Sequence, residues 1–295
     1  MADLDSQPGP RMSRRRFVKG GLGVAAGLAA YAGLVERHWV DLTRCDIALA
    51  GLPAAFAGMR IVQLSDIHLD EFTEPIFLRY VVERINRLKP DMVLLTGDYI
   101  SSGLFSTRFT LNAAWHCARI LTGLQCKQVY AVLGNHDVGV DAKEVTRALT
   151  SNGIPVLTNA WMPIERQGGR MWLAGLDDPV EGEPEPERAI PASIRNRPGE
   201  PLILMCHAPD YADTLLQQPA GQAVSLMLSG HTHGGQVRLP LVGAMQLPDL
   251  GKKYVEGLFR LGAMQLYVNR GIGTVGVPFR FDCPPELTLF TLRSA

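Results

Sequence analysis

The chain of 295 residues carries no surplus of either charge: 29 Lys and Arg offset 29 Asp and Glu, for a formal net charge of zero. That argues against a binder of nucleic-acid backbones, which ordinarily shows a basic excess. Cysteine is sparse as well, and Cys45, Cys117, Cys126, Cys206 and Cys283 are scattered and odd in number. No disulfide framework and no CxxC thiolate zinc site follows from them, and most are expected as small buried apolar residues. Internal repeats and long low-complexity tracts are absent. So is a long hydrophobic run: the apolar stretch after Lys19 covers about 16 residues, short of the roughly 20 that a membrane span needs. What remains, 46% hydrophobic and 20% charged, describes an ordinary globular chain with ample material for a core, in one large domain or two small ones.

The N-terminus is distinctive. Ser13 to Val35 reads SRRRFVKGGLGVAAGLAAYAGLV, with Arg11, Arg14, Arg15, Arg16 and Lys19 before a mild Gly- and Ala-rich stretch. Ser13 to Lys19 resembles a twin-arginine export signal, and Ala30-Tyr31-Ala32 offers a small-x-small cleavage site. The alternative is a basic arm beside an uncut anchor helix. Residues 1–40 are therefore expected as an export signal or retained anchor plus linker, and 41–295 as a single domain. The resemblance implies the twin-arginine machinery as a partner, with the protein periplasmic or held on the outer face of the cytoplasmic membrane.

Beyond the leader, short apolar runs alternate with helical patterns. Met59–Asp66, Asp91–Asp98, Gln128–Asn135, Arg170–Asp177, Pro201–His207 and Val224–His231 read as buried strands, each closed by a polar or glycine residue. Ile76, Tyr80, Val81, Ile85 and Leu88 recur at helical spacing ahead of Pro90; Leu111–Leu121 and Lys143–Leu149 read as two further helices, the last closed by Asn152-Gly153. Strands interleaved with helices predict a layered α/β fold. Glu181–Glu200, rich in Pro, Glu and Gly, is expected as an exposed loop, and the chain from Gln236 onward as β-rich.

The strands do not end in random polar residues. They end in Asp66-Ile67-His68, Gly97-Asp98, Gly134-Asn135-His136-Asp137, His207 and Gly230-His231-Thr232-His233. One strand ending in Asp or His means little, because turns favour such residues. Five delivering Asp, Asn or His to the carboxyl edge of a layered sheet mark a site. The donors are carboxylate, imidazole and amide oxygen without thiolate, which suits Mn, Fe or Zn, and the set is too rich in histidine for a calcium cage.

These blocks, in this order, resemble the calcineurin-like metallophosphoesterase superfamily, with similarity from about Met59 to the C-terminus. GGQVRLP, VNRGIGT and CPPELTLFTL downstream look like its exported bacterial phosphodiesterase branch. The resemblance implies an α-β-β-α sandwich with a dinuclear site at the strands' carboxyl ends. Asp66, His68 and His233 would bind one divalent metal (Mn, Fe or Zn), and Asn135, His207 and His231 a second. Asp98 would bridge the two, and a bridging hydroxide would attack phosphorus. It also implies His136 as general acid or transition-state stabiliser and Asp137 as a catalytic-site residue orienting His136 or a ligand.

Other residues keep two readings. Asp177 and Asp178 line the cleft or form a turn before Pro179. Arg238 and Asn269-Arg270 contact substrate phosphate or close a structural turn. Gly271, Gly273 and Gly276 lack the strand-helix context of a nucleotide loop. His116 and His38 are expected to be merely packed or exposed.

Departures from sub-family patterns narrow the choice. The run GDYISSG (97–103) lacks the arginine of the GDxVDRG protein phosphatases, and Ser101 stands where purple acid phosphatases need tyrosine. A phosphodiesterase acting on a small-molecule or lipid-linked ester is the first expectation, as a monomer that binds no nucleic acid. A lipid-directed pyrophosphatase of the UDP-2,3-diacylglucosamine type is the second. That reading predicts an exposed apolar rim around Leu239–Pro248, close to a membrane surface. A metal-stabilised scaffold binding envelope components is the remote third.

Overall fold

The computed structural model describes residues 13–295 other than 70, 71, 104, 105, 196 and 198. Arg11 of the basic leader lies outside the described residues, as do two positions of the Glu181–Glu200 stretch.

Two sheets stack face to face. The first holds β1 (Asp41–Leu49), β2 (Arg60–Leu64), β3 (Met92–Thr96), β4 (Val129–Val132) and the last strand, β13 (Glu286–Ser294), in the order β1-β13-β2-β3-β4. The second holds β5 (Ala160–Arg166), β6 (Gly169–Gly175), β7 (Leu202–Met205), β8 (Leu226–Ser229), β11 (Gly257–Leu261) and β12 (Met264–Val268), in the order β11-β12-β8-β7-β6-β5. A small hairpin of β9 (Arg238–Leu239) and β10 (Gly243–Ala244) stands apart. The trio β2-β3-β4 and the run β6-β7-β8-β12 are parallel, so their carboxyl ends lie on one edge of each sheet.

Period-two alternation explains the continuous apolar runs. In β3, Leu94 faces the second sheet while Val93 and Leu95 face helices. In β7, Ile203 and Met205 point inward while Leu202 and Leu204 point to the opposite layer. Strands covered on both faces have no polar side to show. Helices α2 (Pro75–Leu88), α3 (Thr107–Leu121) and α4 (Asn135–Ser151) cover the first sheet. The short helices α5 (Pro186–Ala189), α6 (Ala192–Arg195), α7 (Tyr211–Leu216) and α8 (Pro219–Gln222) cover the second, completing an α-β-β-α sandwich.

Three local expectations are corrected. Glu181–Glu200 is not simply an exposed loop, because Ala189 of α5, Ile190 just after it and Ile194 of α6 pack into the outer core of the second sheet. Three apolar anchors among many polar residues are enough to dock one-turn helices, one of which starts on Pro186. On α2 the buried stripe is Phe77, Leu78, Val81, Val82 and Ile85, while Ile76 and Tyr80 face outward. The helix read from Lys143 begins at Asn135, with a break in helical dihedrals at Asp141.

Ahead of the sandwich, α1 (Arg14–Ala30) has no buried residue. Helical structure continues to His38, and Arg14–His38, 25 residues, is by length and composition long and apolar enough to cross a membrane. This corrects the expectation of a run too short to span, because the helix extends beyond the apolar stretch at both ends. Its distal end is fastened to the domain. Ala32 and Glu36 are buried, Arg37 pairs with Glu74, His38 Nε2 lies 3.1 Å from Glu74, and Glu36 accepts the Cys283 N–H at 2.8 Å. His38 is thus packed and paired, and His116 is half-buried on α3. The five cysteines are free thiols, three of them (Cys117, Cys206 and Cys283) buried.

Candidate metal centre

Each motif leaves the carboxyl end of a strand and turns at once. Asp66 and His68 follow β2, Asp98 follows β3, Asn135 follows β4 as the first residue of α4, His207 follows β7, and His231 and His233 follow β8. The turns are sharp: Asp66, His68, Asp98, His231 and His233 adopt φ of 50°, 47°, 56°, 74° and 52°. Residues other than glycine in this left-handed region cost on the order of 1 kcal/mol or more each and concentrate where function demands the geometry. The glycines beside them are set by proximity. A Cβ on Gly134 would stand 2.2 Å from Asp98 Oδ1, and one on Gly230 would stand 1.9 Å from Ser65 Oγ and 2.3 Å from Asp66 Oδ2.

The donor atoms converge in two groups, Asp66 with His68 and His233, and Asp98 with His207 and His231, each group's ligand atoms lying within 4.8 Å of one another. Asp98 Oδ2 sits between them, 3.6 Å from His68 Nε2 and 3.2 Å from His207 Nε2. Asn135 Oδ1 joins the second group, 2.8 Å from His231 Nδ1. His68, Asp98 and His136 form a third, overlapping group, so the ring of His136 also borders the cluster.

Hydrogen bonds on the far side of three of the rings select the nitrogen that faces inward. His207 Nδ1 donates to the Thr96 carbonyl at 2.6 Å, freeing Nε2. His231 does the reverse: Nε2 is taken by the Asp249 carbonyl at 2.7 Å, so Nδ1 faces the cluster. His68 Nδ1 lies 2.9 Å from Ser101 Oγ. Such outer partners fix tautomer and ring orientation at metal sites. None of these partners carries a sequence signal of its own. Ser101 could have been suspected only because GDYISS places it beside the motif aspartate.

The arrangement fits divalent cations. Asp66, His68 and His207 are fully buried and Asp98 nearly so. Among the described residues His207 Nε2, which faces the cluster, has no hydrogen-bond partner, and the Nε2 atoms of His68 and His233 face each other at 3.0 Å. Burial pushes His68 down to about 3 and His231 down to about 4, which keeps both imidazoles neutral with a lone pair to offer. Burial likewise pushes Asp66 up to about 6 against the pull of His207. Burial would also raise Asp98, but His207 and His136 beside it outweigh that and hold it well below the ordinary carboxylate range. Buried carboxylates facing imidazoles and an amide oxygen, without thiolate, form a donor set for Mn, Fe or Zn.

His136 Nδ1 accepts the Ser102 N–H at 2.8 Å, with the Ser102 hydroxyl also at 2.8 Å. In the neutral ring the proton therefore sits on Nε2. Asp137 does not touch that ring. Its carboxylate is buried and accepts the N–H groups of Asp98 (2.8 Å), Tyr99 (2.9 Å), Gly134 (3.0 Å) and Ile100 (3.4 Å), clamping the Gly97-Asp98 turn to the start of α4. The Tyr99 hydroxyl donates into the core, to Val132 O at 3.0 Å.

The weaker candidates have structural partners. Asp178 Oδ2 accepts the N–H groups of Val180 and Glu181, and Asp177 those of Asp178 and Glu183, so the pair shapes a turn outside the donor groups. Arg238 pairs with Glu256, Arg270 with Asp41 at 3.2 Å, and Asn269 with Thr288 at 2.8 Å. Ile272 and Gly273 hydrogen-bond to the carbonyls of Ser65 and Asp66, so the Gly271–Gly276 segment backs the first motif. Arg280 escaped sequence reasoning altogether. It is fully buried and donates to the carbonyls of Gly273 and Arg270 (2.7 and 2.8 Å) and of Cys283 (3.1 Å), locking that segment behind Asp66 and His233.

A cavity of about 390 Å³ opens over the cluster, reached by Asp98, Asn135, His136 and His231 on its floor and by Met245 and Val277 at its edge.

Comparison with known proteins agrees with this geometry. The family model for calcineurin-like phosphoesterases matches residues 59–235. The chain is 35% identical to the uncharacterized metallophosphoesterase YkuE of Bacillus subtilis, over 96% of this chain and 99% of that one. It is 32% identical to phosphodiesterase YaeI of Escherichia coli, over 95% and 99%. It is also 27% identical to the UDP-2,3-diacylglucosamine pyrophosphatase LpxG of Chlamydia muridarum, over 88% and 91%.

Proposed function

Because the chain belongs to the calcineurin-like phosphoesterase family and is therefore a hydrolase of phosphoric esters, we propose that it is a phosphodiesterase working on a two-metal centre. Asp66, His68 and His233 would hold one ion and Asn135, His207 and His231 the other, with Asp98 placed to serve both. The observation that carries this reading is the placement of Asp98 Oδ2 between the two histidine groups, within 3.6 Å of one and 3.2 Å of the other. Ions held there would neutralise phosphoryl charge, polarise phosphorus and lower the pKa of an attacking water.

The remaining work belongs to side chains. His136 borders both the donor cluster and the cavity, and its Ser102 partner keeps the proton on Nε2, so it donates to the leaving-group oxygen. Asp137 is a positioning residue that holds the backbone on which Asp98 is mounted. The cavity, about 390 Å³, seats the ester between this acid and the donor cluster. The Arg-rich start of α1 supports delivery by the twin-arginine route and residence at the outer face of the cytoplasmic membrane, as a monomer. Similarity to LpxG and the apolar residues at the cavity edge favour a second reading, a pyrophosphate-linked lipid as substrate.

The test is hydrolysis of bis-p-nitrophenyl phosphate and p-nitrophenyl phosphate, with and without Mn²⁺, by the wild type and Asp98→Ala. Metal-dependent release from the diester that vanishes in the variant supports the reading. Metal-bound protein inert toward both esters counts against it.

A further inference from the structure

The cavity edge is unusually apolar for a surface, and it is joined to the N-terminal helix by main-chain contacts. Ala32 O accepts the Arg280 N–H at 3.1 Å, and Gly33 packs against the Phe279 ring. The next residue, Phe281, exchanges backbone hydrogen bonds with Gln236 and Arg238 at 3.1 and 2.9 Å. From there the chain enters the β9–β10 hairpin, whose tip is Leu241-Val242, and Met245 returns to hydrogen-bond Val237 at 3.1 Å. Val242, Met245 and Val277 are 70%, 58% and 46% exposed, and Leu239, Leu241 and Phe279 are exposed beside them. Met245 and Val277 also line the cavity. An apolar patch contiguous with a site entrance marks an interaction surface.

We propose that this rim is a bilayer-docking surface, so that the cleft opens onto the membrane and takes the phosphoester headgroup of an amphiphile out of the leaflet. The proposal rests on the phosphoesterase reading of the same site. The occupant follows from what adjoins the rim. Helix α1 has no buried residue, and the free stretch Arg14–Tyr31 rises about 27 Å, close to the roughly 30 Å apolar core of a bilayer, with Arg14, Arg15 and Arg16 at its far end. A span leaving the domain at Ala32–Gly33 holds Phe279 at the membrane surface, and the hairpin tip is reached from Phe279 through one bridged strand pair. A cavity of about 390 Å³ accepts a phosphorylated headgroup but not two acyl chains. The chains would stay against Met245 and Val277, in the bilayer.

Two phosphodiesters with the same leaving group separate this from the hydrolase reading: methyl p-nitrophenyl phosphate in solution, and hexadecyl p-nitrophenyl phosphate in phosphatidylcholine–phosphatidylglycerol vesicles carrying the full chain. The wild type is expected to prefer the membrane ester by about tenfold or more, and Leu241→Ser/Val242→Ser is expected to lose that preference while turning over the methyl ester unchanged. Equal wild-type rates on the two esters, or a preference that survives in the variant, overturn the docking surface. Failure to hydrolyse the methyl ester with Mn²⁺ present counts instead against the phosphodiesterase reading. Docking is then still decided by brominated phosphatidylcholine, which should quench Trp fluorescence more strongly in Leu241→Trp than in the wild type; equal quenching overturns it.

Discussion

Asp137→Asn offers the sharpest reading of how the centre is held. The substitution keeps size and shape but exchanges one acceptor oxygen for an NH₂ group. Both carboxylate oxygens are occupied, one by the N–H groups of Asp98 and Gly134 and the other by those of Tyr99 and Ile100. Whichever way the amide turns, two buried backbone donors face another donor. A buried donor left unsatisfied costs about 1–3 kcal/mol, so the change should cost about 2–6 kcal/mol. For a domain of this size that lowers Tm by roughly 4–24 °C. Burial first, and then the Asp98 charge, push Asp137 up to about 8. A cation on Asp98 removes the second of these, and the four N–H donors favour the carboxylate. The loss should therefore be largest in Mn²⁺-loaded protein and smaller after chelation. Calorimetry of wild type and variant, each loaded and chelated, measures it. A loaded variant melting within about 1 °C of the wild type would refute the clamp.

Four further outcomes follow from the same geometry. His136→Gln should lower kcat about 10²- to 10⁴-fold with metal content unchanged; loss of an ion would make His136 a ligand instead. Metal must displace protons from Asp66, raised to about 6, and from His207, raised by Asp98 and Asp66 against the effect of burial. His68 and His231, near 3 and 4, compete only in stronger acid. Apparent Mn²⁺ affinity should therefore fall by about tenfold or more from pH 7.5 to pH 5.5, and a flat profile by titration calorimetry would contradict this sign. Gly134→Ala drives a methyl onto Asp98 and should abolish metal retention, measured by elemental analysis. Ala32 is buried and hydrogen-bonded to Arg280, so the Ala30–Ala32 processing site should stay uncut in the folded protein. Intact mass of membrane-fraction protein should then include α1.

The convergence of these side chains was legible in the sequence because strands covered on both faces spell continuous apolar words, and the residue that ends each word lies on one edge. β7 is the clearest case, four buried residues followed by Cys206 and His207. β1 was not legible: only Ile47 and Leu49 of its nine residues are buried, so no apolar run announces it. The helical start of α4 was hidden because Gly134 to Asp137 reads first as a ligand turn, and the same residues form the first turn of the helix. Asp137 sits in a recognisable block, yet its work is done on backbone N–H groups of another strand's loop, and sequence patterns do not record such contacts. Arg280 is hidden for the same reason: its partners are carbonyls, which every residue has.

The proposed chemistry depends on a pair of ions sharing Asp98. The most direct measurement is metal stoichiometry of the full-length protein after Mn²⁺ loading and desalting, by elemental mass spectrometry, on the wild type and on Asp98→Ala. Two ions per chain are expected in the wild type and fewer in the variant. One ion or none in an active wild type, or two retained without Asp98, would contradict it.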